Sequence, residues 1–88
     1  MAYFLKRLGD GAGSSGPLSA AIWYENREER IQYHASPRVG VSMRVGSLSI
    51  GKENVAWQTS PVEEILLEVK NYVRFRTANS IYEWWKNE

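Results

Sequence analysis

The sequence predicts a mainly β protein: a small SH3-like barrel or strongly bent antiparallel sheet of five or six strands, with at most one short helix. Three observations carry that expectation. Residues 38–46 alternate with a period of two, Val39, Val41, Met43 and Val45 on one side and Arg38, Gly40, Ser42 and Arg44 on the other. That is the pattern of a strand with one buried and one wet face. Short apolar or aromatic runs recur between Gly, Pro and Asn punctuation, the spacing of a small all-β domain. Four tryptophans, five tyrosines and two phenylalanines sit in 88 residues, and rings that bury roughly 150–250 Å² each let a short chain fill its core.

In chain order, residues 1–17 read as an N-terminal segment, a short amphipathic piece followed by a flexible Gly/Ser-rich linker. A single small β domain over residues 18–88 follows. Gly11, Gly13 and Gly16 fit the G-x-G-x-x-G spacing of a dinucleotide site. That motif needs a helix after it and an acidic residue about twenty positions on, and residues 18–24 are too short for the helix. No cofactor is expected. Residues 20–24 are strand-like, and residues 31–35 alternate after the polar turn at 25–30, so the two form a hairpin. Pro37 ends that unit before the alternating run already described. Gly46 and Gly51 bracket one further short apolar run, and Lys52, Glu53 and Asn54 turn the chain into a strand beginning at Val55.

Residues 60–71 carry two patterns at once. Ser60-Pro61-Val62-Glu63 is a capping box with proline at the first helical position, and Val62, Ile65, Leu66 and Val69 follow at helical spacing. Leu67 and Val69 also alternate with Glu68 and Lys70, and the run leads through Asn71 into the strand-like Tyr72-Val73-Arg74-Phe75-Arg76-Thr77, as a hairpin arm would. A strand with a proline bend is the preferred reading over a short helix. Ala78, Asn79 and Ser80 form a turn, and residues 81–85 close the fold as a strand. A second capping-box match, Ser80-Ile81-Tyr82-Glu83, keeps a C-terminal helical turn open.

Composition excludes whole classes of chemistry. There is no cysteine, which removes disulfides, thiolate metal sites and cysteine nucleophiles. The single histidine, His34, has no carboxylates at ligand spacing, so no metal is expected. The formal net charge is +1, too small for an overall field that draws in nucleic acid or an acidic membrane. Residues 1–8 lack the length of a secretory core, and no apolar run approaches the ~20 residues of a membrane span. The expected location is the cytoplasm, in solution.

Catalysis has candidates but no motif. His34 lies within a strand-like run, and adjacent Glu63 and Glu64 would point to opposite sides of a strand, so no catalytic residue is assigned. Binding chemistry is better provided for. Arg38 and Arg44 lie opposite the valines and Arg74 and Arg76 opposite Val73 and Phe75, so one sheet could present all four on an outer surface. With Tyr24, Tyr33 or Tyr72 as stacking platforms, that surface suits single-stranded nucleic acid; paired with Glu53, Glu68 or Glu83 it is an ordinary solvated face. Trp84 and Trp85 face opposite ways if they lie in a strand. One enters the core, and the other is a candidate partner anchor or a cap over an open barrel end.

The residues Trp57-x-Thr59-Ser60-Pro61-Val62 and Phe75-x-Thr77-x-Asn79-Ser80-x-Tyr82 resemble a pattern found near the C-terminus of small phage and bacterial proteins. The resemblance covers under a third of the chain. It implies a compact β module in which the threonines, asparagine and serine set turns, and a phage or mobile-element origin; it implies no activity. The function expected is a non-catalytic protein-binding module, a phage-type effector that binds and inhibits a host protein through Trp84, Trp85, Tyr72, Arg38, Arg44, Arg74 and Arg76. The rival is nucleic-acid binding through the arginines, with a small hydrolase further behind. Pairing of exposed sheet edges would make a homodimer.

Overall fold

Nine strands form among residues 2–47 and 56–87, the residues that the computed structural model describes, with strict alternation of buried and less buried side chains over residues 72–77 and unbroken exposure over 28–33. They are β1 (Ala2–Arg7), β2 (Gly13–Gly16), β3 (Leu18–Glu25), β4 (Glu28–Tyr33), β5 (Ser42–Gly46), β6 (Trp57–Gln58), β7 (Val62–Val69), β8 (Tyr72–Thr77) and β9 (Ile81–Asn87). No helix is present among the described residues. The expected turn at Lys52–Asn54 and the strand start at Val55 lie outside them.

All pairings are antiparallel, in a five-stranded sheet ordered β2-β1-β9-β8-β7 and a four-stranded sheet ordered β4-β3-β5-β6. The inner faces meet in one core that includes Tyr3, Leu5, Ala21, Met43, Val45, Val62, Val73, Phe75, Tyr82 and Trp84. Burying this apolar surface is the main drive for the fold. Hydrogen bonds join the two sheets. Trp84 Nε1 donates to Ser19 Oγ at 3.0 Å, Ser19 Oγ donates to the Ala35 carbonyl at 2.8 Å, and Ser14 Oγ donates to the Val45 carbonyl. At the start of β7 the Val62 N–H donates to the Val41 carbonyl at 2.8 Å and its carbonyl accepts from Gly40 N–H at 2.9 Å. Both sheets thereby bend round the same interior.

Three expectations are corrected. Residues 1–17 are not a segment and linker preceding the folded body: β1 lies between β2 and β9 in the larger sheet, and with β1 and β2 the described residues hold nine strands, not five or six. The glycines of this stretch mark close approach, since a Cβ at Gly13 would strike the Leu5 carbonyl and one at Gly16 the Gly46 backbone. Second, the alternating run enters the sheet only at Ser42. Val41, Met43 and Val45 are buried as expected, but Val39 is 60 % exposed, in the connection between β4 and β5. Third, the polar turn expected at 25–30 shrinks to Asn26 and Arg27, both at positive φ (53° and 66°). Two such residues make the tight turn whose twist matches a hairpin.

At residues 60–71 the strand prevails over the capping box. Two register irregularities in β7, between Val62 and Glu64 and between Ile65 and Leu67, interrupt its pairing with β8. Each bulge shifts the alternation by one residue, so between them Glu64 faces out with Arg76 and Ile65 faces in with Phe75, and beyond the second the phase set by Val62 returns. Leu67 and Val69 share the outer face with Arg74 and Tyr72, while Glu68 stands opposite core Val73.

Candidate functional site

The outer face of the five-stranded sheet carries an ordered set of side chains that cross-strand register aligns into rows. Phe4, Trp85, Tyr72 and Val69 lie opposite one another along β1, β9, β8 and β7. The next row is Lys6, Glu83, Arg74 and Leu67, and beyond it stand Ile81, Arg76 and Glu64. An aromatic and apolar row thus runs beside a charged one. Phe4, Leu67 and Val69 are 39 %, 45 % and 55 % exposed, which leaves apolar surface in water that the core does not use.

Polar contacts fix this face. The rings of Tyr72 and Trp85 are 5.6 Å apart at 60°, a tilted aromatic pair. Tyr72 donates its hydroxyl proton to Glu83 Oε2 and accepts from Arg74 Nε at 3.1 Å, while Arg74 Nη2 lies 3.6 Å from the same carboxylate oxygen. Partial burial, and then the hydrogen bond given to Glu83, push the Tyr72 phenol above its usual range. Arg76 bridges Glu63 at 3.1 Å and Glu64 at 3.2 Å. The two carboxylates considered for acid–base work therefore share one guanidinium.

Of the seven residues expected to bind a partner, the sheet brings four together: Trp85, Tyr72, Arg74 and Arg76. The other three stand elsewhere. Trp84 is 3 % exposed and belongs to the core. Arg44 lies on the outer face of the other sheet, bonded to Gln58 Oε1 from Nε (3.1 Å) and Nη2 (2.6 Å). Arg38 sits outside any strand, 4.9 Å over the Trp23 ring and 2.9 Å from Gln32 Oε1. The four arginines do not form one surface, because β5 and β8 belong to different sheets that turn opposite faces to water. Sequence reasoning missed Phe4, Lys6, Leu67 and Val69. Alternation within residues 2–7 signals the first pair, and the second lies on the outer side only once Val62 is known to face inward, which the residue order does not show.

His34 has φ 55° at the end of β4, and its Nδ1 lies 3.1 Å from the Tyr3 hydroxyl. With Glu68, Lys70 and Lys86 it lines an open depression of about 300 Å³ beside Trp84. No group of three potential metal ligands occurs among the described residues.

No family model, curated protein or solved structure matches this chain. Its functional reading rests on the surface chemistry described above.

Proposed function

We propose that the protein is a non-catalytic protein-binding module that docks through the outer face of the five-stranded sheet. The row Phe4–Trp85–Tyr72–Val69 carries this reading, since it places two aromatic anchors and two further apolar side chains in register on a face that leaves Phe4 and Val69 exposed among the described residues. Aromatic rings supply much of the energy at protein interfaces. The adjacent Glu83, Arg74 and Arg76 supply a polar rim that fixes orientation. A phage or mobile-element effector that occludes a host protein is the biological role this module would suit.

Nucleic-acid binding is the second reading, favoured by Tyr72 and Trp85 standing beside Arg74, Arg76 and Lys6. The carboxylates of Glu63, Glu64 and Glu83 within this cluster offset its positive charge, which supports a protein partner over a polyanion. One experiment separates the two. Tagged wild-type protein and the Trp85→Ala and Phe4→Ala variants, all checked for native folding by circular dichroism, are used to capture partners from host extract. In parallel, binding of labelled single-stranded DNA and RNA is titrated at low and moderate salt. The proposal expects one or more proteins enriched by wild type and lost by both variants. Equal recovery by all three sinks it, and nucleic-acid affinity that falls steeply with salt replaces it with the second reading.

A further inference from the structure

Among the described residues β4 is a regular, open edge of the four-stranded sheet, and its hydrogen-bonding phase follows from the Asn26-Arg27 turn. Residues that flank a two-residue hairpin loop form a hydrogen-bonded pair, here Glu25 with Glu28. The phase then alternates along the register, so Arg30 and Gln32 direct their backbone groups to Trp23 and Ala21. The N–H and C=O groups of Glu29, Ile31 and Tyr33 point away from the sheet. The edges of the five-stranded sheet are guarded. β7 has Pro61 before it and two bulges along it, and β2 runs against Gly46.

We infer that β4 pairs with β4 of a second copy of this chain, antiparallel about a two-fold axis at Ile31. In this register Ile31 faces Ile31 of the second copy and Glu29 faces Tyr33 of the second copy, so all three outward residues are satisfied at once. The side chains agree with the backbone. On the outer face Ile31 meets its own copy, and the Tyr33 hydroxyl meets the Glu29 carboxylate, which Tyr24 already approaches at 3.4 Å. On the other face Arg30 stands opposite Gln32, whose carbonyl oxygen has a second lone pair beyond the one Arg38 uses. No like charges are opposed. A shift of the pairing by two residues one way puts Arg30 against Arg30 and leaves Tyr33 unpaired, and a shift the other way puts Gln32 against Gln32 and leaves Glu29 unpaired. The register centred on Ile31 is the one that pairs all three outward residues. The product is a continuous eight-stranded sheet whose outer face joins Ile31 and Tyr33 of both copies, side chains that are exposed in the single chain.

The absence of cysteine makes the register directly testable. In a hydrogen-bonded antiparallel pair the Cα atoms are about 5.5 Å apart, within disulfide reach. Full-length Ile31→Cys and Arg30→Cys variants are oxidised under mild conditions and run on non-reducing gels, while the wild type and Ile31→Lys are followed by sedimentation equilibrium across the micromolar range. The expected result is a wild-type dimer, rapid cross-linking of Ile31→Cys alone, and dissociation about tenfold or more easier for Ile31→Lys. A wild type that stays monomeric overturns the inference, as does cross-linking of Arg30→Cys in preference to Ile31→Cys. Neither readout depends on the opposite sheet or its proposed partner.

Discussion

Trp84 and Trp85 are neighbours in the chain and belong to different regions of the molecule. Trp84 points into the core, where its ring lies 5.9 Å from that of Tyr3 and its indole N–H reaches Ser19 on the other sheet. Trp85 points outward, half-buried beside Tyr72, on a face over which no other described element packs. The same division runs through β8, where Val73, Phe75 and Thr77 face in and Tyr72, Arg74 and Arg76 face out. Inside, polar atoms find partners across the core, so removing one atom affects both sheets. Outside, partners lie on neighbouring strands of one sheet and share the load with water. Stability should therefore reside on the first face, and recognition on the second.

The largest effect should come from the inner tryptophan. Trp84→Ala removes a buried ring and the donor to Ser19, and is expected to destabilise by about 3–5 kcal/mol. Trp85→Ala loses an exposed aromatic pair worth roughly 0.5–1.5 kcal/mol. Urea unfolding followed by far-ultraviolet circular dichroism measures both. Should Trp84→Ala be too unstable to purify, Trp84→Phe keeps most of the ring and is expected to lose about 1–3 kcal/mol through the unpaired Ser19 network. Similar losses for Ala at both positions would break the comparison.

How far this division is legible in the residue order differs by element. Period-two alternation in residues 72–77 and 81–85 shows that one tryptophan enters the core and one does not. The choice between them needs the register with β1, where Trp84 stands opposite buried Leu5 and Trp85 opposite exposed Phe4. The edge at β7 was illegible for a different reason. Its helical spacing and capping box are real local signals, but pairing with β8 overrides them, and between the bulges the phase inverts so that Ile65 meets the core. Gly13 and Gly16 misled for a third reason. Glycine reads as flexibility in a sequence, and here it serves the close contact of two backbones. Thr59 and Thr77, by contrast, do what residue type suggests. Thr59 Oγ1 accepts from Met43 N–H at 3.1 Å, and Thr77 Oγ1 accepts from the N–H groups of Asn79 and Ser80 at 3.3 Å.

A smaller effect sharpens the picture of the outer face. Glu83→Gln removes the negative charge that holds the Tyr72 proton, while leaving the partial burial that contributes first to its raised pKa. The Tyr72 phenol should titrate at lower pH in the variant, as read by the difference in phenolate absorbance against Tyr72→Phe in each background. The accompanying change in stability should be within about 1 kcal/mol, because Arg74 and Glu83 are partly solvated. An unchanged Tyr72 titration would mean that the hydroxyl and carboxylate do not meet in solution, and the charged row would lose its fixed geometry.

The smallest effect tests whether a partly exposed ion pair at the rim of the core has any hold on the fold. In the turn between β1 and β2, Arg7 grips both oxygens of Asp10, with Nε 3.1 Å from Oδ1, and the Ala12 N–H donates to Oδ1 at 3.0 Å. The guanidinium first, and the backbone donor second, lower the Asp10 carboxyl from 3.8 to about 2. The folded chain binds this proton more weakly than the unfolded one. The stabilisation is accordingly complete above about pH 4 and disappears as pH falls through about 2. Asp10→Asn should melt slightly below wild type at neutral pH, and the gap should close between pH 4 and pH 2. Arg7 also lies 4.9 Å over the Trp57 ring, so a gap that stays open at pH 2 would assign the loss to disturbed packing of Arg7 on Trp57. In that outcome the ion pair would owe its worth to Trp57, which packs against the core, and the turn would count with the inner face on which Arg7 follows Tyr3 and Leu5.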